Sequence, residues 1–320
     1  MRLRFHEYWW VLVIAIAGPL ALALGGCSGR TSLPTAPFSR DLNAIAQDEP
    51  EPKPRPGSGR KPVVPCPTVA RFDRSAFHTP TVIDNPYSPL IPGTQYVLSG
   101  QANRGGGLLP HTVIFTVTDV TKQIDGIRTL ALWDRDFNEG VLAEEELAFF
   151  AQDDYGNIWG LGEYPEEFDL LSGEFLGAPN TWIVGFDRAT AGTLMLGDLR
   201  RGKSYYSQGY APTIEFLDCA QVLRTLDKIT VPVGSYGEVL VIDEYGPFDL
   251  LGGHQRKYYA RGVGNIQIGA INDPEGETLV MSSRRQLTPA ELAAARQEVL
   301  RLDARGHMFN DIYAQTAPAQ

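Results

Sequence analysis

The 320 residues carry a net charge of −10, and 43% of them are hydrophobic, an ordinary fraction for a globular core. That balance excludes a chain disordered throughout and a multi-span membrane protein. The acidity argues against a nucleic-acid partner, which needs a basic face to displace counterions from phosphates. The three cysteines are too few for a disulfide scaffold or an all-cysteine zinc site.

Arg2 and Arg4 precede an apolar run from Trp9 to Leu24, interrupted by Gly18-Pro19. A run this short falls below the roughly 20 residues of a spanning helix and suits the apolar region of a signal peptide. It ends in Leu24-Gly25-Gly26-Cys27, which resembles the lipobox of bacterial lipoproteins. The resemblance implies that residues 1–26 are removed and that Cys27 is acylated (palmitate or a similar chain), giving a membrane anchor. Each buried CH2 of such a chain contributes about 0.8 kcal/mol. Ser28, where Asp would favour retention at the inner membrane, implies the outer membrane in a Gram-negative cell. Cleavage removes two arginines and one glutamate and takes the net charge from −10 to −11. The acyl group, rather than attraction to anionic headgroups, is then the expected anchor.

Residues 27–70 read as a tether. The stretch is Pro-rich, with EPEPKPRP at its centre, and lacks apolar periodicity. Such segments adopt extended polyproline II and act as spacers. Cys66 and Cys219 are the thiols left once Cys27 is acylated, and an even pair in an exported chain predicts one disulfide.

Residues 71–285 read as antiparallel β. Short alternating runs begin at Thr94–Ser99, His111–Val120, Ile127–Phe137 and Val141–Gln152, and continue through Asn157–Gly162, Thr181–Gly185, Lys228–Val233, Glu238–Tyr245, Gln255–Ala260, Asn265–Ala270 and Thr278–Ser282. Asp125-Gly126 and Glu139-Gly140 supply hairpin turns. With no helices between strands, the expected fold is a mainly β antiparallel sandwich or a partly open β-barrel. One C-terminal helix is expected within residues 286–320. It opens with the capping box Thr288-Pro289-Ala290-Glu291, carries Leu292, Val299, Leu300 and Leu302 on its apolar stripe, and closes at Gly306, with a frayed tail after Asn310.

Five ordered segments of this body resemble an uncharacterised family of exported bacterial proteins. Asp84–Thr94 is similar to its DNPYFPLxPGT opening, Thr118–Gly126 to VTDxTKxIDG, and Phe150–Trp159 to YAQDxxGNVW. Val231–Tyr236 is similar to VPxGxY, and Lys257–Gly264 to KYYAxGVG. Ser88, where the family has an aromatic residue, and the C-terminal helix depart from the pattern. The resemblance implies a shared β fold and names no catalytic residue.

Asp134, Asp136, Asn138 and Glu145 fall at positions 1, 3, 5 and 12 of an EF-hand-like count, which could gather oxygens around calcium, although Glu139 stands where that loop needs glycine. Glu144, Glu145 and Glu146, with Glu163, Glu166 and Glu167, read as a solvated sheet face; a glycosidase pair is the alternative. His78, His111, His254 and His307 have no metal-ligand spacing, and no nucleophile or phosphate-loop motif is present. No cofactor is implied. Trp159, Trp182, Tyr258 and Tyr259 are the candidate ligand-contact set. The expected function is a non-enzymatic binding or scaffold role in the cell envelope, with an envelope ligand or protein as partner. A periplasmic or extracellular hydrolase, needing a polar cleft with converging carboxylates, is the first rival. A carrier of a lipid or other envelope component, needing an apolar groove, is the second.

Overall fold

The computed structural model describes residues 66–249 and 252–320. The signal segment, Cys27 and tether residues 28–65 lie outside the described residues.

The chain opens with β1 (Thr94–Asn103), β2 (Leu108–Ile124), β3 (Ile127–Asn138), β4 (Val141–Gln152) and β5 (Ile158–Phe168). Short pieces β6 (Phe175–Gly177) and β7 (Trp182–Ile183) follow, then β8 (Thr190–Met195), β9 (Tyr206–Ala211), β10 (Phe216–Val231) and β11 (Gly234–Tyr245). The sheet ends with β12 (His254–Ala260), β13 (Gly264–Ile271) and β14 (Thr278–Gln286), and α1 spans Pro289–Phe309. Each strand pairs antiparallel with its neighbour in sequence, apart from β6 and β7, which hang on β5. β14 pairs back to β1, so twelve strands close an up-and-down barrel. Closure removes the open edges that a sandwich would leave.

The β2–β3 and β3–β4 hairpins turn on Asp125-Gly126 (φ 50° and 81°) and Glu139-Gly140 (φ 50° and 84°). Two successive left-handed residues match the twist of the flanking strands. β8 and β9, invisible to the alternation pattern, are each interrupted by a glycine. At Gly192 a Cβ would sit 2.0 Å from the Gln208 carbonyl carbon, so only glycine lets these two strands approach.

From Ala143 to Ala151 every residue of β4 is buried, because α1 covers the outer face while the inner face meets the lumen. Elsewhere the outward side chains include Gln95, Ser99, Arg256, Gln267 and Ser282, the reverse of the apolar outer band of a membrane barrel. No described helix is long and apolar enough to cross a membrane.

The capping box at Thr288 forms as expected: its Oγ1 accepts from the Glu291 N–H, and the Glu291 carboxylate accepts from the Thr288 N–H. Two expectations at the C-terminus are corrected. Gly306 lies inside α1 rather than capping it, because the Tyr313 ring packs where a Cβ would be, 2.5 Å from Cδ1. The tail is anchored rather than frayed. Tyr313 is fully buried and its hydroxyl donates to Asp303 Oδ1 at 2.8 Å. Lys122 Nζ lies 2.7 Å from Asp303 Oδ1 and donates to the Ala317 carbonyl at 2.7 Å. Gln320 exchanges two backbone hydrogen bonds with Thr121.

Cys66 and Cys219 form the expected disulfide, with both residues fully buried and their Cα atoms 5.7 Å apart. The bond ties the segment leading into β1 to β10.

Three of the resembling segments meet at one end of the barrel. Gln152 Oε1 accepts from the backbone N–H groups of Asp84 and Asn85, and Asn85 Nδ2 donates to the Gly156 carbonyl at 2.8 Å. The Gly262 N–H donates to the Pro86 carbonyl at 2.7 Å. Asp153 organises the β4–β5 turn, accepting from the N–H groups of Tyr155 and Asn157, from Asn157 Nδ2 and from Trp159 Nε1. Conformation, rather than chemistry, accounts for these motif residues: they seat a loop over the barrel end, and that loop sends Ser88 and Leu90 into the lumen.

Candidate functional site: an acid-lined lumen

The register of β3, β4 and β5 decides which acids face inward. A bulge between Asp136 and Phe137 leaves Ala143 as an extra residue on β4, so Asp134 lies opposite Glu146 and Asp136 opposite Glu144. On β5, Glu163 lies opposite Ala148 and Glu167 opposite Glu144. Like charges directly across a ladder repel. These rungs therefore stack carboxyls against one another on the inner face.

The neighbouring outer rung is treated differently. Arg135 faces Glu145, and Glu145 faces Glu166. α1 brings Arg301 to 3.3 Å from Glu145 and Arg305 to 2.8 Å from Glu166, while Trp133 Nε1 donates to Glu145. Outside, each acid receives a cation. Inside, most do not.

The expectation of a solvated acidic face is thus corrected. Glu144, Glu145, Glu146, Glu166 and Glu167 are all buried, because lumen and helix cover both sides of the sheet. The calcium count fails for the same reason. Asp134 and Asp136 point into the lumen, and the bulge turns Glu145 to the opposite face, where it meets Arg301. Asn138 serves as hydrogen-bond partner to His111 at 2.8 Å. Among the described residues no group of three His, Cys, Asp or Glu side chains is arranged to hold a metal ion.

The lumen divides into two parts. Near the β1–β2 turn charges are balanced. Arg104 Nη2 donates to Glu277 Oε2 at 2.6 Å, and His111 Nε2 lies 3.3 Å from Asp136 and 3.4 Å from Glu277. Burial works against a charged His111, but hydrogen bonds and charge from Asp136 and Glu277 overturn it and raise its pKa to about 10. Burial pushes Asp136 up to about 6 against the pull of His111.

Further along is a cavity of about 130 Å³. Asp134, Glu146, Glu163 and Asp218 reach its wall, as do the rings of Tyr96, Phe115, Phe150, Phe216 and Tyr259. Lys257, the one basic residue on this wall among the described residues, has its Nζ 2.5 Å from Glu244. Asp134 Oδ1, Glu146 Oε1 and Asp218 Oδ1 have no hydrogen-bond partner among the described residues. Burial, reinforced by neighbouring carboxylates, holds Asp134, Glu146 and Asp218 well above the ordinary carboxylate range. Burial lifts Glu163 to about 7, although Trp182 Nε1 donates to its Oε2 at 2.7 Å.

The four aromatic candidates do not form one contact surface, because strand alternation separates them. Tyr259 lines the cavity, and Trp182 positions Glu163. Trp159 is fully buried, edge-on against Phe72 with ring centroids 5.0 Å apart. Tyr258 is half-buried on the outer face of β12.

These acids make stability depend on pH in a stated direction. A folded carboxyl with a raised pKa keeps its proton where the unfolded one has lost it, so stability falls as pH rises. For Asp136 and Glu163 the window runs from about pH 4 to about 7. His111 adds stability that is complete below about pH 6.5 and lost as pH rises through about 10, so it does not oppose the trend. Glu291, held at about 2 by Arg285 and Thr288, acts only below about pH 4.5. The urea midpoint of the chain is expected to be lower at pH 7.5 than at pH 5, with Glu163→Gln narrowing the gap. A midpoint that rises with pH contradicts this reading.

Fold and site together define a closed antiparallel barrel with a carboxyl-rich lumen. No family model and no curated protein matches the chain. Two solved structures resemble it loosely. One is a putative lipoprotein from Parabacteroides distasonis, with TM-score 0.36 and 14% identity over 63% of this chain and 99% of that one. The other is a putative exported protein with YmcC-like fold from Bacteroides fragilis, with TM-score 0.34 and 12% identity over 62% of this chain and 99% of that one. Superpositions this loose carry neither fold nor function from those proteins to this chain.

Proposed function

We propose that the chain is an envelope lipoprotein, held by an acylated Cys27 and placed at the outer membrane in a Gram-negative cell, whose barrel binds a small ligand in its lumen without transforming it. The observation that carries the binding reading is a cavity wall whose acids Asp134, Glu146 and Asp218 each have a buried oxygen without a hydrogen-bond partner among the described residues. Native proteins seldom leave such groups unanswered.

Volume decides among the rivals. An apolar cavity of about 150 Å³ accommodates benzene, so 130 Å³ suits a molecule of about that size. The converging carboxyls are what a hydrolase would need, but a glycosidase pair must flank a sugar ring and leave room for its leaving group. A lipid carrier is disfavoured by the same limit and by the four acids on the wall.

The test is the small-molecule content of the detergent-extracted full chain, released by denaturation and analysed by mass spectrometry. A released compound of about four to eight non-hydrogen atoms, lost in the cavity-filling variant Ala148→Phe, is expected. Turnover of glycan or peptide substrates that Glu146→Gln abolishes would overturn the non-enzymatic reading.

A further inference from the structure

The binding reading leaves the ligand's chemistry open, and the wall narrows it. Asp134 and Glu146 are 7% and 2% exposed, both line the cavity, and each has a buried carboxyl oxygen without a hydrogen-bond partner among the described residues. They sit directly opposite one another on β3 and β4, and Glu163 joins them from β5. The other charged and titratable groups that act on this region are Asp136, Glu144, Asp218, Glu244, Lys257, Tyr96, Tyr206 and Tyr259, together with His111, Arg135 and Arg284. Of these cations Lys257 lies on the cavity wall and has Glu244 as its partner, while His111 is held by Asp136 and Glu277. An anionic ligand would lie among four acids, Asp134, Glu146, Glu163 and Asp218, with Lys257 already paired to Glu244. A neutral one would gain no charge-assisted hydrogen bond from these acids.

We propose that the lumen binds a small organic monocation, a primary ammonium of about five or six non-hydrogen atoms, with Asp134, Glu146 and Glu163 receiving its N–H donors. The aromatic wall suits the rest of such a molecule. Phe115, Phe150 and Phe216 supply apolar surface for a short alkyl body, and ring faces attract cations electrostatically. A carboxylate accepting from an ammonium forms a hydrogen bond stronger than a neutral pair does.

Entry of a cation changes the protonation of the wall. Burial and neighbouring carboxylates raise Asp134 and Glu146 well above the ordinary carboxylate range and so favour their protonated forms in the free barrel. An ammonium beside them favours the carboxylate, so binding releases a proton to solvent. The bond broken is a carboxyl O–H: its proton passes to the buffer, and the carboxylate left behind balances the charge of the ammonium.

The experiment is isothermal titration calorimetry on the detergent-solubilised full chain at pH 7. n-Butylammonium is compared with 1-butanol, its near-isosteric neutral counterpart, in phosphate and in MOPS buffers, whose ionisation heats differ. Butylammonium is expected to bind at least tenfold more tightly than butanol, with a heat that changes with buffer. Asp134→Asn or Glu146→Gln should weaken it at least tenfold, whereas Glu174→Gln, on the exposed β5–β6 turn, should not. Tetrabutylammonium, too large for the cavity, should not bind. If a variant fails to fold, the wild-type comparison of amine with alcohol still decides. Equal binding of butanol and butylammonium would overturn the cation and leave a binding lumen standing. Binding of neither overturns the cation outright, and the copurification result then judges the lumen separately.

Discussion

Lys122→Ala is expected to lower the unfolding free energy by about 3–5 kcal/mol, the range for removing one partner of a buried ion pair. Lys122 is 1% exposed on β2, and its ammonium meets Asp303, the Ala317 carbonyl and the Tyr313 ring, whose centroid is 4.2 Å away. Removing it strands Asp303, 3% exposed, whose other contacts are the Tyr313 hydroxyl, the Ala319 N–H and His307, whose Nε2 lies 3.7 Å from Oδ2. Helix α1 and the tail are joined to the barrel through this point. Loss should therefore appear first as faster hydrogen exchange over residues 303–320, together with a fall in Tm of roughly 10 °C for a domain of this size. The double replacement Lys122→Met with Asp303→Leu should recover much of the loss, since replacing both partners with apolar groups removes the stranded charge. A single variant within about 1 kcal/mol of wild type would show that the pair does not hold the tail.

Breaking the Cys66–Cys219 disulfide is the second large effect. The bond spans 153 residues. In the chain-entropy account, a loop of that length corresponds to about 5 kcal/mol of constraint on the unfolded state. The bond also fixes the entry of the segment that runs through Asp84–Leu90 and covers the barrel end, so the structural consequence is local as well as global. The Cys66→Ser, Cys219→Ser chain is expected to unfold at a lower denaturant concentration than wild type, with early exchange in residues 66–93. Identical midpoints with and without reductant would contradict this.

Much of the fold is written in local signals. The hairpin turns at Asp125-Gly126 and Glu139-Gly140 set β3 and the start of β4 where alternation places them, and the capping box sets the start of α1. Signals that depend on distant contact are not local. Gly192 and Gly209 interrupt β8 and β9 because their backbones pack closely against other chain segments, so these strands lack alternation. Gly306 resembles a helix stop until Tyr313 is seen to occupy the space above it. The site was hidden by one residue. Counted strictly outward from the Glu139-Gly140 turn, Asp134 would face Glu145, and the calcium reading would share one side of the sheet. The bulge at Phe137 shifts that count, puts Glu146 opposite Asp134 and sends Glu145 to the helix. Sequence signals a dense acidic hairpin, but the inward side is fixed by a bulge that no residue type announces.

The most direct test of the lumen as a cation site is a crystal structure of the full chain grown with n-butylammonium. Density for the amine inside the barrel, its nitrogen within about 3 Å of Asp134 Oδ1 or Glu146 Oε1 and its alkyl chain against Phe150, is the expected result. Amine density confined to the outer surface, at saturating concentration, would contradict it.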